Sequence, residues 1–249
     1  MTLPDHLPKT APGLARARTA RERARAELTL EIKEEARRQL GAAGADGLSL
    51  RAVARKLGMA SSALYRYYPS RDDLLTALII DAYNAIGDAT ERAVADAAPD
   101  AARPARERWI AACHAIRDWA RSSPHEYALI YGSPVPGYRA PEATIGPASR
   151  IPLAFVGLIR DAHRGGELTA ASGATTVTGA LAEQVTALSA VLSTPDVPPD
   201  ALVRAVTAWA QLFGLISFEL FGQFVGSFEP ADALFAHAVV RLAAFVGLR

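Results

Sequence analysis

The chain has 249 residues, half of them hydrophobic and 21% charged, with a formal net charge of +1 at pH 7. A single cysteine, Cys113, excludes an internal disulfide and fits a reducing cytoplasm, and no apolar run of signal-peptide type opens the sequence. The near-zero charge conceals an asymmetry: residues 1–80 carry fourteen Lys/Arg against nine Asp/Glu, a net +5, while residues 81–249 carry thirteen against seventeen, a net −4. A basic front on an acidic body is expected where only the front meets nucleic acid.

Residues 1–20 read as a basic extension. Arg16, Arg18, Arg21, Arg23 and Arg25 alternate with small residues ahead of the first helix. Such a segment suits either an arm along phosphates or a solvated leader; a helical extension with loose phosphate contact is the expectation. In the first helix Ile32, Ala36 and Leu40 share one face, and Gly44 follows.

The stretch from Gly44 to Leu75 is the most informative. Ser49 is placed as an N-cap, with Leu48 and Val53 at the spacing of a hydrophobic staple. Leu50, Val53, Ala54 and Leu57 form one apolar stripe, and Arg51, Arg55 and Lys56 fall off it. Gly58 closes this helix, because left-handed backbone costs glycine little. A second helix of about two turns starts near Ala60 or Ser61 and cannot pass Tyr68, which precedes Pro69. Leu64 and Tyr68 would face the core, leaving Ser61, Ser62, Tyr65, Arg66 and Tyr67 outward. Ser70 and Asp73 then make a capping box for a long third helix, with Arg71 in its first turn. Two short helices around a glycine turn, the second showing hydroxyls, tyrosines and an arginine, form a helix-turn-helix suited to the major groove of double-stranded DNA.

This stretch resembles the DNA-binding domain of the tetracycline-repressor (TetR) family of bacterial regulators, over roughly residues 26 to 80. The resemblance implies phosphate contacts for Ser49, Tyr65, Tyr67 and Arg71, and base or groove contacts for Ser61, Ser62 and Arg66; Arg51 is a further candidate. Ala60 departs from the pattern where a hydroxyl cap is frequent, which leaves Ser61 as the expected cap. Pro69 departs where a basic or polar residue is frequent.

Beyond Ser70 the pattern is helical to the end, giving an all-α fold: residues 21–70 as helix-turn-helix domain and 71–249 as a helical regulatory and dimerisation domain. Leu74, Leu75, Leu78, Ile79, Ala82 and Ile86 mark a helix to about Ala97, and Pro99 and Pro104 break the chain, Pro104 suiting the first turn of the next helix. Trp109, Ala112, Ile116 and Trp119 fall at helical spacing, and a short helix runs from about Pro124 to Tyr131. Residues 132–147 read as one long loop, followed by a helix over roughly 148–164.

The last third is nearly uncharged. Only Glu183 ionises between Ser172 and Leu192, and only Arg204 and Glu219 between Ala201 and Phe228. Helices this apolar are buried all round or lie in a membrane; Ala205 to Phe228 is long enough to span one, but Gln211, Glu219 and Gln223 argue against that. A subunit interface is the better account. Thr207, Ala210, Gly214 and Ser217 make a stripe of small residues, Trp209, Leu212, Ile216 and Leu220 face the subunit's own core, and the helix over 172–192 supplies Val177, Leu181, Val185, Leu188 and Leu192. Two such helices per subunit would form a two-fold four-helix bundle. Trp209 and Gly214 further resemble a TetR subgroup with a Trp–His–Gly signature, in which Phe213 replaces the histidine and so removes a polar group from the expected interface.

The family resemblance implies a homodimer that reads a palindrome and responds to a small-molecule effector, most commonly as a repressor. Trp109, His114, Trp119, Tyr127, Tyr131, Tyr138 and Phe155 are the candidate lining of an effector cavity. The five histidines, His6, His114, His125, His163 and His237, are scattered, and no metal-ligand spacing, phosphate loop or nucleophile elbow occurs. Catalysis, metal and cofactor are therefore not expected. The rival reading is a helical-bundle interaction protein that does not bind DNA.

Overall fold

The computed structural model describes residues 20–96, 104–169 and 176–249. Among them run ten α-helices: α1 (Ala20–Ala43), α2 (Leu50–Lys56), α3 (Ser61–Leu64), α4 (Arg71–Asp96), α5 (Ala105–Ser122), α6 (Pro124–Tyr131), α7 (Ile145–Arg164), α8 (Gly179–Leu192), α9 (Pro199–Leu220) and α10 (Asp232–Val246). Extended pairing among these residues is confined to one bridge, Leu168 to Leu248. The fold is all-α.

Two hydrophobic cores form. The head core joins Ile32, Ala36 and Leu40 of α1 to Val53 and Ala54 of α2, Leu64 of α3, and Leu74, Leu75, Leu78 and Ile79 of α4. The body core gathers Ile86 of α4 with α5, α7, α9 and α10 around Trp109, Ile116, Leu158, Leu212 and Val239. α4 thus places fully buried residues in both, and α6 bridges them with Tyr127 in the body core and Leu129 and Ile130 against the head core.

Ion pairs at the seam repeat this connection. Arg37 of α1 reaches Asp81 of α4 at 2.8 Å and Glu126 of α6 at 2.9 Å, and Lys33 also pairs with Asp81. Within the body, Arg150 of α7 grips Asp88 and Glu91 of α4 together with the Asn84 carbonyl. Arg204 of α9 is buried and donates to Asp200 and to the carbonyls of Phe245 and Val246, two of those left open at the end of α10.

Several boundaries differ from the sequence expectation. Pro104 is the N-cap of α5 and lies one residue outside it. The 132–147 loop is shorter than expected, because a 3-10 turn at Glu142–Thr144 leads into α7 at Ile145, with Pro147 in its first turn. Proline is tolerated there because first-turn amides have no helical partner. α8 starts at Gly179 rather than near 172, so Val177 precedes it. α9 ends at Leu220, short of Phe228, and Pro99 lies outside the described residues.

α9 is the one helix among the described residues long and apolar enough to cross a membrane. Packing accounts for one side of it: Ala201, Leu202, Ala205, Ala208, Leu212, Phe213 and Ile216 are buried, while Val206 and Phe218 are exposed. Its one acid near the end, Glu219, takes two bonds of 2.7 Å from buried Arg117 of α5, which also bonds Asp232 of α10 and lies 4.8 Å from the Phe235 ring centroid. Removing one member of a buried pair strands the other, at a cost of about 3–5 kcal/mol. Arg117→Ala is therefore expected to lower the unfolding free energy by about 3 kcal/mol in urea titration, because Glu219 loses both bonds.

Candidate nucleic-acid interface

The reading segment is held by its neighbours. Ser49 caps α2, its side-chain oxygen accepting from the Ala52 amide at 3.4 Å. Its own amide donates to Gln39 of α1 at 3.2 Å, a tie that spans ten residues and that sequence spacing does not reveal. Gly58 takes φ +67°, turning the chain after α2 as its position predicted.

α3 is one α-turn, shorter than the two turns expected. Beyond Leu64 the chain tightens into bonds from Arg66 to Ala63 and from Tyr67 to Leu64 before Pro69 ends it. The N-cap is Ala60, with no side-chain acceptor, so Ser61 does not cap the helix but sits in its first turn. A segment this short has no stability of its own. Leu64 and Tyr68 anchor it, both buried in the head core, and they leave Ser61, Ser62, Tyr65 and Arg66 exposed. Tyr67 is half-buried against the head core, and Arg25 of α1 lies over its ring at 5.5 Å, which brings the helical part of the basic extension beside the reading segment. Arg16 and Arg18 lie outside the described residues.

Arg51, Arg55 and Arg66 are exposed and have no carboxylate partner among the described residues. Arg71 is different. It donates to the Ala45 carbonyl at 2.7 Å, so it fastens the start of α4 to the 3-10 turn Ala45–Gly47 ahead of α2. Ser70 caps α4 by accepting from the Asp73 amide at 3.1 Å, while Asp73 accepts from the Ser70 hydroxyl rather than from its amide.

The seven cavity candidates do not meet around one space. Trp109 and Phe155 pack on each other at 4.5 Å in the body core. His114 meets the Phe235 ring edge-on at 5.4 Å, and Trp119 is half-buried at the margin of that core. Tyr138 packs on the head core, its hydroxyl 2.9 Å from Thr76. Tyr127 and Tyr131 join an aromatic cluster with Phe213, whose ring lies 4.2 Å from that of Tyr131. Phe213 is thus buried within its own subunit, with the rings of Tyr127, Tyr131 and Trp209 around it. Burial pushes the Tyr127 hydroxyl up to about 12, and it drives the Cys113 thiol upward too, away from thiolate chemistry.

The stripe on α9 is open in the single subunit. Ala210 and Gly214 are exposed, Thr207 and Ser217 half-buried, and a Cβ added at Gly214 would meet nothing within 4 Å. Beside it α8 buries only Val185, leaving Leu181 44% and Val191 81% exposed. Helices this apolar were expected to be covered; within one subunit they are not.

Comparison with known proteins agrees with the two-part architecture. Residues 32–78 match the family model described as bacterial regulatory proteins, tetR family, and residues 109–242 match that of the tetracyclin repressor-like C-terminal domain. The HTH-type transcriptional regulators Rv1816 of Mycobacterium tuberculosis and Mb1846 of Mycobacterium bovis are each 42% identical over 213 residues, covering 82% of this chain and 85% of theirs. A crystal structure of SCO4313, a candidate regulatory protein, superposes with a TM-score of 0.68 at 37% identity, covering 91% of this chain and all of that one. A Rhodococcus sp. RHA1 protein of unknown function shares the fold at a TM-score of 0.64 and 24% identity, over 89% of this chain and 95% of its own.

The bond from Arg71 gives it a structural duty. Arg71→Ala is expected to lower the unfolding free energy by about 1.5 kcal/mol, the worth of a hydrogen bond to a charged donor. Equal denaturation midpoints for the two proteins would show that the bond carries no stability.

Proposed function

Because the chain belongs to the TetR family of helix-turn-helix transcriptional regulators and is not an enzyme, we propose that it is a cytoplasmic, ligand-responsive homodimeric repressor of a palindromic operator. The observation that carries this reading is the set of exposed groups on α2 and the segment from Ser61: hydroxyls at Ser61 and Ser62, and guanidinium groups at Arg51 and Arg66 that have no carboxylate partner among the described residues. Hydroxyls and an arginine are the groups that read base edges, and cations left without partners are free to meet phosphates. Ser49 accepts through its oxygen, which leaves its hydroxyl hydrogen available to a phosphate. Tyr65 and Tyr67 flank Arg66 and would set register, while Arg71 offers the phosphates only what its bond to Ala45 leaves over.

One such head reads few base pairs. A second copy doubles the site and the phosphate contacts, and these supply most of the affinity. Exposed Ala210 and Gly214 of α9 and the uncovered side of α8 support pairing through α8 and α9, whereas Ser217 turns inward to the Tyr127 hydroxyl. The dyad of such a pair would make the operator a palindrome.

Two outcomes check this reading. Arg66→Ala should flatten the preference for selected over random duplex by about 1–3 kcal/mol, the value of one bidentate arginine–guanine contact. Equal losses on both duplexes would reject the assignment. Gly214→Leu should yield monomers in sedimentation with helicity unchanged, since the added side chain meets nothing within its own subunit. Should the purified protein retain no duplex at low salt, the regulatory reading is wrong.

A further inference from the structure

The border between α1 and α2 carries a polar chain beside an apolar core. Glu35 of α1 is 5% exposed and is the one buried carboxylate among the described residues. It accepts from Arg38 at 2.8 Å and from the side-chain amide of Gln39 at 3.3 Å. Gln39 continues the chain, since its carbonyl oxygen accepts from the Ser49 amide at 3.2 Å. We propose that Glu35 and Gln39 are positioning residues for DNA: they orient the N-cap of α2 so that the Ser49 hydroxyl donates to a backbone phosphate. This role rests on the regulator reading above.

Each link in the chain allows one direction. A carboxylate has lone pairs and no hydrogen, so it turns the NH2 group of Gln39 toward itself. The carbonyl end of that amide then faces α2, where the Ser49 N–H is its donor. Burial would raise the Glu35 carboxyl, but the bonds from Arg38 and Gln39 outweigh burial and hold it below the ordinary carboxylate range. Glu35 therefore stays an acceptor at neutral pH, and its charge fixes the orientation of Gln39.

Apolar contacts already join the two helices, through Ile32 and Ala36 on one side and Val53 and Ala54 on the other. More of the same would hold the border at least as firmly, because buried charges seldom repay their desolvation. What hydrogen bonds add is direction. They act on a cap whose side-chain bond is long: the Ser49 oxygen accepts from the Ala52 amide across 3.4 Å. The Gln39 tie fixes the same residue from the other side. Glu35 is buried and Gln39 has both ends of its amide engaged, so their effect on a duplex passes through Ser49.

The test measures binding of the full chain to a labelled random-sequence duplex by fluorescence anisotropy over a range of salt. It compares the unaltered protein, Gln39→Met, Ser49→Ala, the double variant and Glu35→Gln. Methionine keeps the length and helix preference of glutamine but offers no comparable acceptor. Gln39→Met should weaken binding about tenfold, the worth of one hydrogen bond to a charged group. The slope of affinity against salt should not change, because a hydroxyl contact releases no counterion. In the Ser49→Ala background Gln39→Met should cost nothing further in binding. Its effect on the urea midpoint should persist there, because the backbone amide at position 49 remains. Glu35→Gln, able to face either end of the Gln39 amide, should give a smaller loss of the same kind.

An equal loss in both backgrounds, or a loss that changes the salt slope, shows a merely structural tie and overturns the assignment. So does unchanged binding by any of the three single variants. If the unaltered protein retains no duplex at low salt, the regulator reading fails and this role falls with it. Duplex retention with additive losses removes this role alone.

Discussion

A shared helix constrains everything else in this molecule. α4 runs 26 residues, about 39 Å at the rise of an α-helix, and its two halves are buried in different cores. Leu74 to Ile79 complete the head, whereas Ile86 belongs to the body. Neither core can shift along α4 without repacking, because protein interiors are close-packed and lose contacts on small displacements. The head can therefore pivot only by moving α4, and Arg37 resists that movement by clamping Asp81 and Glu126 together. The charges at the seam and the apolar contacts beneath it act on the same degree of freedom.

This arrangement explains how a reading segment of one α-turn can be ordered. It is too short to fold alone, so its geometry is inherited from Leu64 and Tyr68 below and from the capped helices on either side. Arg71 belongs to this support as much as to any outward role, since it joins the first turn of α4 to the turn before α2.

Sequence reasoning succeeded where chemistry is local. The Ser49 cap, the Gly58 turn, the buried Leu64–Tyr68 pair and the Ser70–Asp73 exchange each depend on residues within a few positions of one another. It failed where distant segments meet. By type Tyr138 belongs with the body aromatics, yet the chain after Gly132 places it against Thr76. Phe213 sits between an open stripe and a closed core, and periodicity alone cannot assign a residue at that border to one side. α8 begins later than the lack of charge suggests, because residues 172–178 are mostly serine, glycine and threonine, which are uncharged but poor helix formers.

The division of labour in the reading segment also bears on how such a molecule changes over generations. Leu64 and Tyr68 carry the folding duty, while Ser61, Ser62, Tyr65 and Arg66 point into solvent and support nothing beneath them. Substitutions at those four positions leave the scaffold intact, as surface changes away from caps and cores generally do. Under the proposed function, target preference can drift by single codons with no compensating repair elsewhere, so descendants of one ancestor can acquire new genomic addresses while keeping the same architecture.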